Sequence, residues 1–361
     1  MKISILSTTT YTTPPTSYGG EIFIYDLACG LTKLGHEVIL YAAKNDAIEY
    51  PFKVNRLQNT CAQADWIAEA QAYVTYKKDI IDSDVILDMS HGKMVAQQLH
   101  SFKEKMEVAC YMIGNFYARP QPPFNVIVNS RNQFESGIRG GTGFEGTPWE
   151  NQHGSTGKIP ATSKYAHLGV DTDFYKFDEE KEDYFLWLAR FHPTKNPMIA
   201  IKLAIETGIN LVMSGDMVSH PEHYKHGLEC LEMIKGHDNI KYVPLPQDHT
   251  HQRAKLKLMQ KAKCYLFPVG FHESFGLTTV EALSCGTPVI ASNMGALPEI
   301  IESGTNGFIA RDYNHMKAFV NSIDIINPRD CRKLVEDNFS VECMSKRFEK
   351  ILIGLKNGEQ W

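Results

Sequence analysis

The chain has 361 residues, more than a single hydrophobic core usually organises, so two domains are expected. With 43% hydrophobic and 22% charged residues it falls in the ordinary globular range, which excludes a disordered or membrane-embedded class. A formal charge of −5 disfavours a generally nucleic-acid-binding surface, so nucleic acid is not an expected partner.

Lys2 to Ser7 reads as a buried strand and is followed by the loop TTTYTTPPTSYGG. Glu21 to Leu34 repeats apolar residues at helical spacing, and Gly35 is placed to cap its end. His36 to Ala42 is a second apolar run, which completes the strand–helix–strand unit of a parallel sheet. Further strands are expected at Val85 to Asp88, Val108 to Ile113 and Asn125 to Val128. From Arg139 to Ser163 the chain is rich in Gly, Thr and Ser, a loop unusually long for a compact domain. It reads as a lid or acceptor loop, or as an insertion without a catalytic part. A second series of strands begins at Tyr184 to Ala189 and continues at Asn210 to Ser214, Ile240 to Val243, Cys264 to Phe267 and Pro288 to Ala291. Val341 to Leu355 is again helical. The expected class is α/β, with two Rossmann-like domains facing each other across a cleft. The boundaries fall at 1–167 and 168–344, with a helix at about 345–361 returning to the first domain.

Eight scattered cysteines include no C-x-x-C pair, so they read as reduced, buried thiols. Ile3 to Leu6 is too short for a signal-peptide core, and no stretch approaches a span of roughly 20 apolar residues. A cytoplasmic protein without a transmembrane segment is expected, with peripheral membrane association left open.

In CYLFPVGFHESFGLTTVEALSCGTPVIAS a strand ends near Pro268, a loop holds Glu273, and a helix starts near Gly276, carries Glu281 and stops at Gly286. Gly276 allows close backbone approach, and the free amides of Leu277, Thr278 and Thr279 would point at an anion such as a diphosphate. Glu273 could accept from sugar hydroxyls and Glu281 from ribose hydroxyls. Taken alone, the two carboxylates read more readily as a loop residue and a solvated helix residue, since such a spacing is common by chance.

The segment resembles the family-4 retaining glycosyltransferases of GT-B fold (glycosyl transferases group 1), whose hallmark E-x-F-G-x-x-x-x-E is matched by Glu273, Phe275, Gly276 and Glu281. GTPVIASNMGALPEIIESGTNGFIA looks like the family's following segment, and YGGEIFIYDLACGLTKLGHEVILYA looks like its opening unit. The resemblance implies a transferase using a nucleotide-sugar co-substrate, UDP-sugar preferred and GDP-sugar as the alternative, with no metal and no further cofactor. It also implies a sugar, lipid or small-molecule acceptor. Arg190 and Lys195 in LARFHPTKNP match the family's diphosphate-binding pair, and cations there stabilise a departing nucleoside diphosphate. Glu273, Arg190, Lys195 and His91 are the implied catalytic residues. Gly19, Gly20, Ser274, Phe275, Gly276, Leu277, Thr278 and Glu281 are the implied donor-binding residues. Ser17 and Tyr18 would help shape the acceptor pocket. His91 lies further from Asp84 than the family's histidine usually does from that strand's leading Asp, so Asp88 is the alternative occupant of its place.

Asp171-Thr172-Asp173 has a metal-binding D-x-D form but resembles the interdomain crossover. His220, His223, His226, His249 and His251 lack accompanying Asp or Cys and read as surface histidines. The rival readings are a sugar-nucleotide epimerase or hydrolase on the same fold, and a non-catalytic sugar-nucleotide or glycan-binding protein.

Overall fold

The computed structural model describes residues 1–15, 20–60, 65–112, 125–141, 158–218 and 220–361. They divide into two compact units. One comprises the described residues of Met1–Thr142 and Gly154–Gly169 with Val341–Trp361, and the other is Val170–Ser340.

The first unit is built on strands β1 (Lys2–Leu6), β2 (Glu37–Ala42), β3 (Lys53–Arg56), β4 (Val85–Asp88), β5 (Val108–Tyr111), β6 (Asn125–Val128) and β7 (Lys164–Tyr165). Its helices are α1 (Glu21–Lys33), α2 (Asp65–Ile81), α3 (Met94–Ser101) and α4 (Arg131–Arg139). The strands lie in the order β3-β2-β1-β4-β5-β6-β7, and every pairing is parallel. Parallel sheets are covered on both faces, which is why VILD, VACY and NVIV are buried at every position. Gly35, just beyond α1, adopts φ +87°, the left-handed conformation that lets a helix stop without a Cβ penalty.

The second unit carries β8 (Glu182–Leu188), β9 (Leu211–Ser214), β10 (Ile240–Tyr242), β11 (Ala262–Phe267), β12 (Val289–Ser292) and β13 (Gly307–Ala310). Its helices are α5 (Pro197–Thr207), α6 (Pro221–Met233), α7 (His251–Lys261), α8 (Leu277–Ser284), α9 (Leu297–Ile300), α10 (Tyr313–Val320) and α11 (Pro328–Asn338). The order β10-β9-β8-β11-β12-β13 is again fully parallel. Numbered within the unit, this is 3-2-1-4-5-6, the order of a doubly wound sheet. Trp187 at its centre is fully buried and donates from Nε1 to the Lys195 carbonyl at 3.2 Å.

The last helix, α12 (Val341–Lys356), belongs to the first unit and packs against α1. Ser345 sits over Gly30, where a Cβ would lie 1.9 Å from its Oγ, so a glycine in mid-helix permits the contact. His36 Nε2 and Glu349 Oε1 meet at 2.8 Å.

Three strands escape the sequence patterns. β3 and β7 are the edges of their sheet, where KVNR and KY need bury little and carry no apolar run. β13 is another edge, entered through Gly307. The expected strand at Val108 to Ile113 ends at Tyr111, and Ile113 lies outside the described residues. The expected loop from Arg139 to Ser163 begins where α4 is closed by Gly140 at φ +81°, and most of it lies outside them too. No helix among the described residues is long and apolar enough to cross a membrane.

Candidate active site

In the second sheet β8 and β11 are neighbours, yet the chain leaves them in opposite directions, toward β9 and toward β12. Their following loops lie side by side at the carboxyl ends of the strands, the switch point that usually takes the ligand in such sheets. Those loops, 189–196 and 268–276, carry Arg190, Lys195 and Glu273.

The first loop winds through a 3-10 turn at Pro193–Lys195, with His192 accepting from the Thr194 amide at 3.2 Å. Asn196 then reverses the backbone at φ +49°, and Pro197 starts α5 with a ring already suited to a first helical position. Two hydrogen bonds join the loops: Asn196 Nδ2 donates to the Pro268 carbonyl at 2.8 Å, and the Gly270 amide to the Thr194 carbonyl at 2.8 Å. The second loop is pinned from beyond β12. The Ala296 amide donates to the Glu273 carbonyl at 2.8 Å, and Gly295 crosses at φ +62° so closely that a Cβ would lie 2.1 Å from that carbonyl oxygen.

Lys195 and Glu273 meet as an ion pair at 2.6 Å, with side chains only 13% and 14% exposed. The ammonium also lies 4.5 Å from the centre of the Phe271 ring and 5.2 Å from that of Phe267, so aromatic faces replace part of its lost hydration. Burial holds its pKa below the ordinary lysine value, against the opposing pull of Glu273, and the nearby Arg190 charge acts in the same direction as burial. Arg190 is exposed at the mouth of the site.

Gly276 takes φ +97° and offers no side-chain cap, so the Leu277 and Thr278 amides are left for another acceptor, whereas the Thr279 amide, expected to join them, donates to the Gly276 carbonyl at 2.9 Å. Leu277 and Thr278 occupy that first turn, and Thr278 accepts from the Tyr265 hydroxyl at 3.0 Å. Ser274 is half-buried in the approach. Phe275 is 2% exposed and packs edge-on against Phe339, so its side chain anchors the loop and leaves only its backbone for a ligand.

Glu281 is no solvated helix residue, being 3% exposed. Its Oε1 accepts from the Tyr175 hydroxyl at 2.7 Å and from Lys255 Nζ at 2.8 Å. Oε2 lies 2.7 Å from the same ammonium, but that contact lacks hydrogen-bond geometry, so Oε2 keeps its capacity for a further donor. Lys255 and Tyr175 do not stand out in the sequence patterns. A signal is present nonetheless: Lys255 falls midway between the buried His251 and Met259 of α7, four residues from each, on a stripe where a lysine needs a partner.

In the first unit, Gly20 begins α1 with φ −68°, while Gly19, Ser17 and Tyr18 lie outside the described residues. His91 is exposed on the loop after β4. Two buried carboxylates hold that loop. Glu69 accepts from the Gly92 and Met94 amides at 2.5 and 2.9 Å, and Asp88 accepts from the Ser90 amide at 3.0 Å, the Ser90 hydroxyl at 2.5 Å and the Ala96 amide at 3.2 Å. Asp88 is fully buried and engaged by two backbone amides and the Ser90 hydroxyl, whereas His91 is exposed. Burial, with the Asp88 charge adding to it, pushes the Glu69 pKa up.

The D-x-D segment forms a turn in which Asp171 accepts from the Asp173 and Phe174 amides at 2.8 and 3.2 Å. Among the described residues no group of three or more His, Cys, Asp or Glu side chains could hold a metal ion. The histidines are not uniformly surface residues, however: His223 is 6% and His251 5% exposed, each paired inside the second unit.

Residues 171–338 match the family Glycosyl transferases group 1. D-inositol 3-phosphate glycosyltransferase of Mycobacterium tuberculosis is 29% identical over 164 residues, which are 42% of this chain and 33% of that protein. The match thus spans about a third of the length of these curated relatives. A glycosyltransferase from Rickettsia africae superposes with a TM-score of 0.73 at 14% identity, over 99% of each chain. HepE of Anabaena, solved with UDP and glucose, superposes with a TM-score of 0.67 at 18% identity, over 98% of this chain and 99% of its own. The chain accordingly has the α/β fold of the GT-B glycosyltransferases, and its residues 171–338 are similar to the glycosyl transferases group 1 family.

Proposed function

We propose that the chain is a retaining glycosyltransferase that moves a sugar from a nucleoside diphosphate, preferably UDP, to an acceptor hydroxyl without a divalent metal. The observation that carries this reading is the Lys195–Glu273 pair at the switch point of the second sheet, with Arg190 exposed beside it. The UDP preference draws on the Anabaena neighbour, which was solved with UDP and glucose.

Cleavage of the sugar–phosphate bond gathers negative charge on the leaving diphosphate. Arg190, Lys195 and the uncapped start of α8 would meet that charge more strongly in the transition state than in the ground state, the condition for accelerating the step. Glu273 would hold the sugar hydroxyls while its charge is tempered by Lys195. Glu281, through the unsatisfied Oε2, would take a ribose hydroxyl. In a retaining transfer the acceptor attacks the face that the phosphate leaves, and a phosphate oxygen takes the acceptor's proton, so no second carboxylate is needed. His91 and Gly20 would contribute from the first unit, and the reaction is assigned to the cytoplasm.

A thermal-shift screen of nucleoside diphosphates and nucleotide sugars tests the donor, since a ligand that binds only the folded state raises apparent stability. Product analysis with and without candidate acceptors then separates transfer from epimerisation or hydrolysis. Complete and reversible loss of transfer in chelator would remove the metal-free mechanism.

A further inference from the structure

Beside Arg190 lies a group of histidines and carboxylates that the proposed reaction does not use. His192 Nε2 faces Glu222 Oε2 at 3.5 Å, and His223 Nδ1 faces Asp216 Oδ2 at 3.4 Å. The His192 and His223 rings meet edge to face with centres 5.7 Å apart, and His220 lies 5.4 Å from His223. These residues come from the carboxyl-end loops of β8 and β9 and from the start of α6, so the cluster borders the same switch point as Arg190.

From this geometry we infer that His192 and His223 form a proton-linked extension of the donor diphosphate site, taking up protons when an anion settles on Arg190. The inference rests on the donor reading above and adds to it a rule for how affinity depends on pH.

Charged groups from several elements act on the two rings. Burial is the first cause that lowers both histidine pKa values, and Arg190 lowers both further. Glu222 opposes this at His192, and Asp216 opposes it at His223. His223 also disfavours the charge of His192, His220 disfavours that of His223, and Lys195 stands beyond Arg190. From the neighbouring elements, His251 and Lys255 on α7 and Tyr242 on β10 share the field of Asp216 or of one another. At neutral pH both histidines of the unliganded protein are therefore largely uncharged.

A bound diphosphate reverses one cause and adds another. It neutralises the Arg190 charge that opposes protonation, and it brings negative charge to the mouth of the cluster. Both effects raise the histidine pKa values. Because linkage is reciprocal, an anion that raises them must bind more tightly when the histidines are already charged. Donor affinity should strengthen as pH falls through the raised values and level off below the unliganded ones.

Two measurements decide the matter. In the first, the ring signals of His192 and His223 are titrated by NMR in the wild-type chain with and without sulfate, an anion that does not itself titrate in this range. Upward movement of both pKa values with sulfate is expected, and unchanged values would overturn the proposal without any variant being needed. In the second, UDP-glucose affinity is followed by calorimetry in buffers of different ionisation enthalpy. Proton uptake and about fivefold tighter binding between about pH 8 and about pH 6 are expected, with the pH dependence reduced in His223→Asn and in His192→Asn. Binding that is as tight at both pH values, with no proton uptake, would overturn it. If UDP-glucose fails to bind while sulfate still moves both histidines, the proton-linked anion site stands and the donor assignment is what fails.

Discussion

The two sheets share the strand order 3-2-1-4-5-6, the first with one more strand at its edge, yet they fill their switch points in opposite ways. Beyond β4 in the first sheet, Asp88 and Glu69 turn their oxygens on backbone amides, and what they produce is a firmly held loop with His91 exposed upon it. Beyond β8 and β11 in the second sheet, the charged groups instead meet one another or stand open: Lys195 on Glu273, Lys255 on Glu281, Arg190 exposed. The same fold thus turns buried charge on backbone in one place and pairs it with opposite charge in the other, where the proposed donor would sit.

The largest effect that would sharpen this contrast is expected at Lys255. Lys255→Met leaves Glu281 buried beside Tyr175 with no counter-charge, a loss of about 3–5 kcal/mol in denaturant unfolding. An unchanged midpoint would mean that Glu281 is reached by water and that the pair is a surface feature. Next comes Glu273→Gln, which should lower donor turnover by about 100- to 1,000-fold, the scale of removing a group aimed at transition-state charge. Undiminished turnover would show that the switch point is not where the chemistry occurs. The corresponding change in the first sheet, Asp88→Asn, should act on stability, because an amide nitrogen would face the Ser90 or Ala96 amide where an acceptor is needed. About 1–3 kcal/mol is expected by urea titration, and a rate effect without a stability effect would break the comparison.

The smallest effect is a pH slope. The folded-state pKa of Glu69 is raised, so its contribution to stability is present below the ordinary carboxylate range and is lost as pH rises through the folded value. Wild-type stability measured against Glu69→Gln should therefore decline from about pH 4 toward neutrality, by about 1.4 kcal/mol for each tenfold by which folding tightens the carboxyl's hold on its proton. A difference that grows with pH would contradict the raised value.

Much of this could be read from the residues. The apolar runs marked the central strands because both faces of a parallel sheet are covered, and Gly35, Gly276 and Gly286 marked helix ends because each takes a positive φ. The edge strands β3 and β7 stayed hidden, since an edge needs no continuous apolar run. Phe275 reads as a ligand contact from its place in the motif, whereas its ring is committed to Phe339, which lies in a distant part of the sequence.

By itself, then, the sequence determined the succession of strands and helices and the short segments that hold Arg190, Lys195, Glu273 and Glu281. Which of those side chains meet was decided by tertiary structure alone. Lys195 and Glu273 are 78 residues apart and come together because β8 and β11 are adjacent although not consecutive. Lys255 and Glu281 are 26 apart and pair because α7 lies against α8. Local patterns record how each residue prefers to fold, but a charge buried away from water must find its partner wherever the chain's path brings one near.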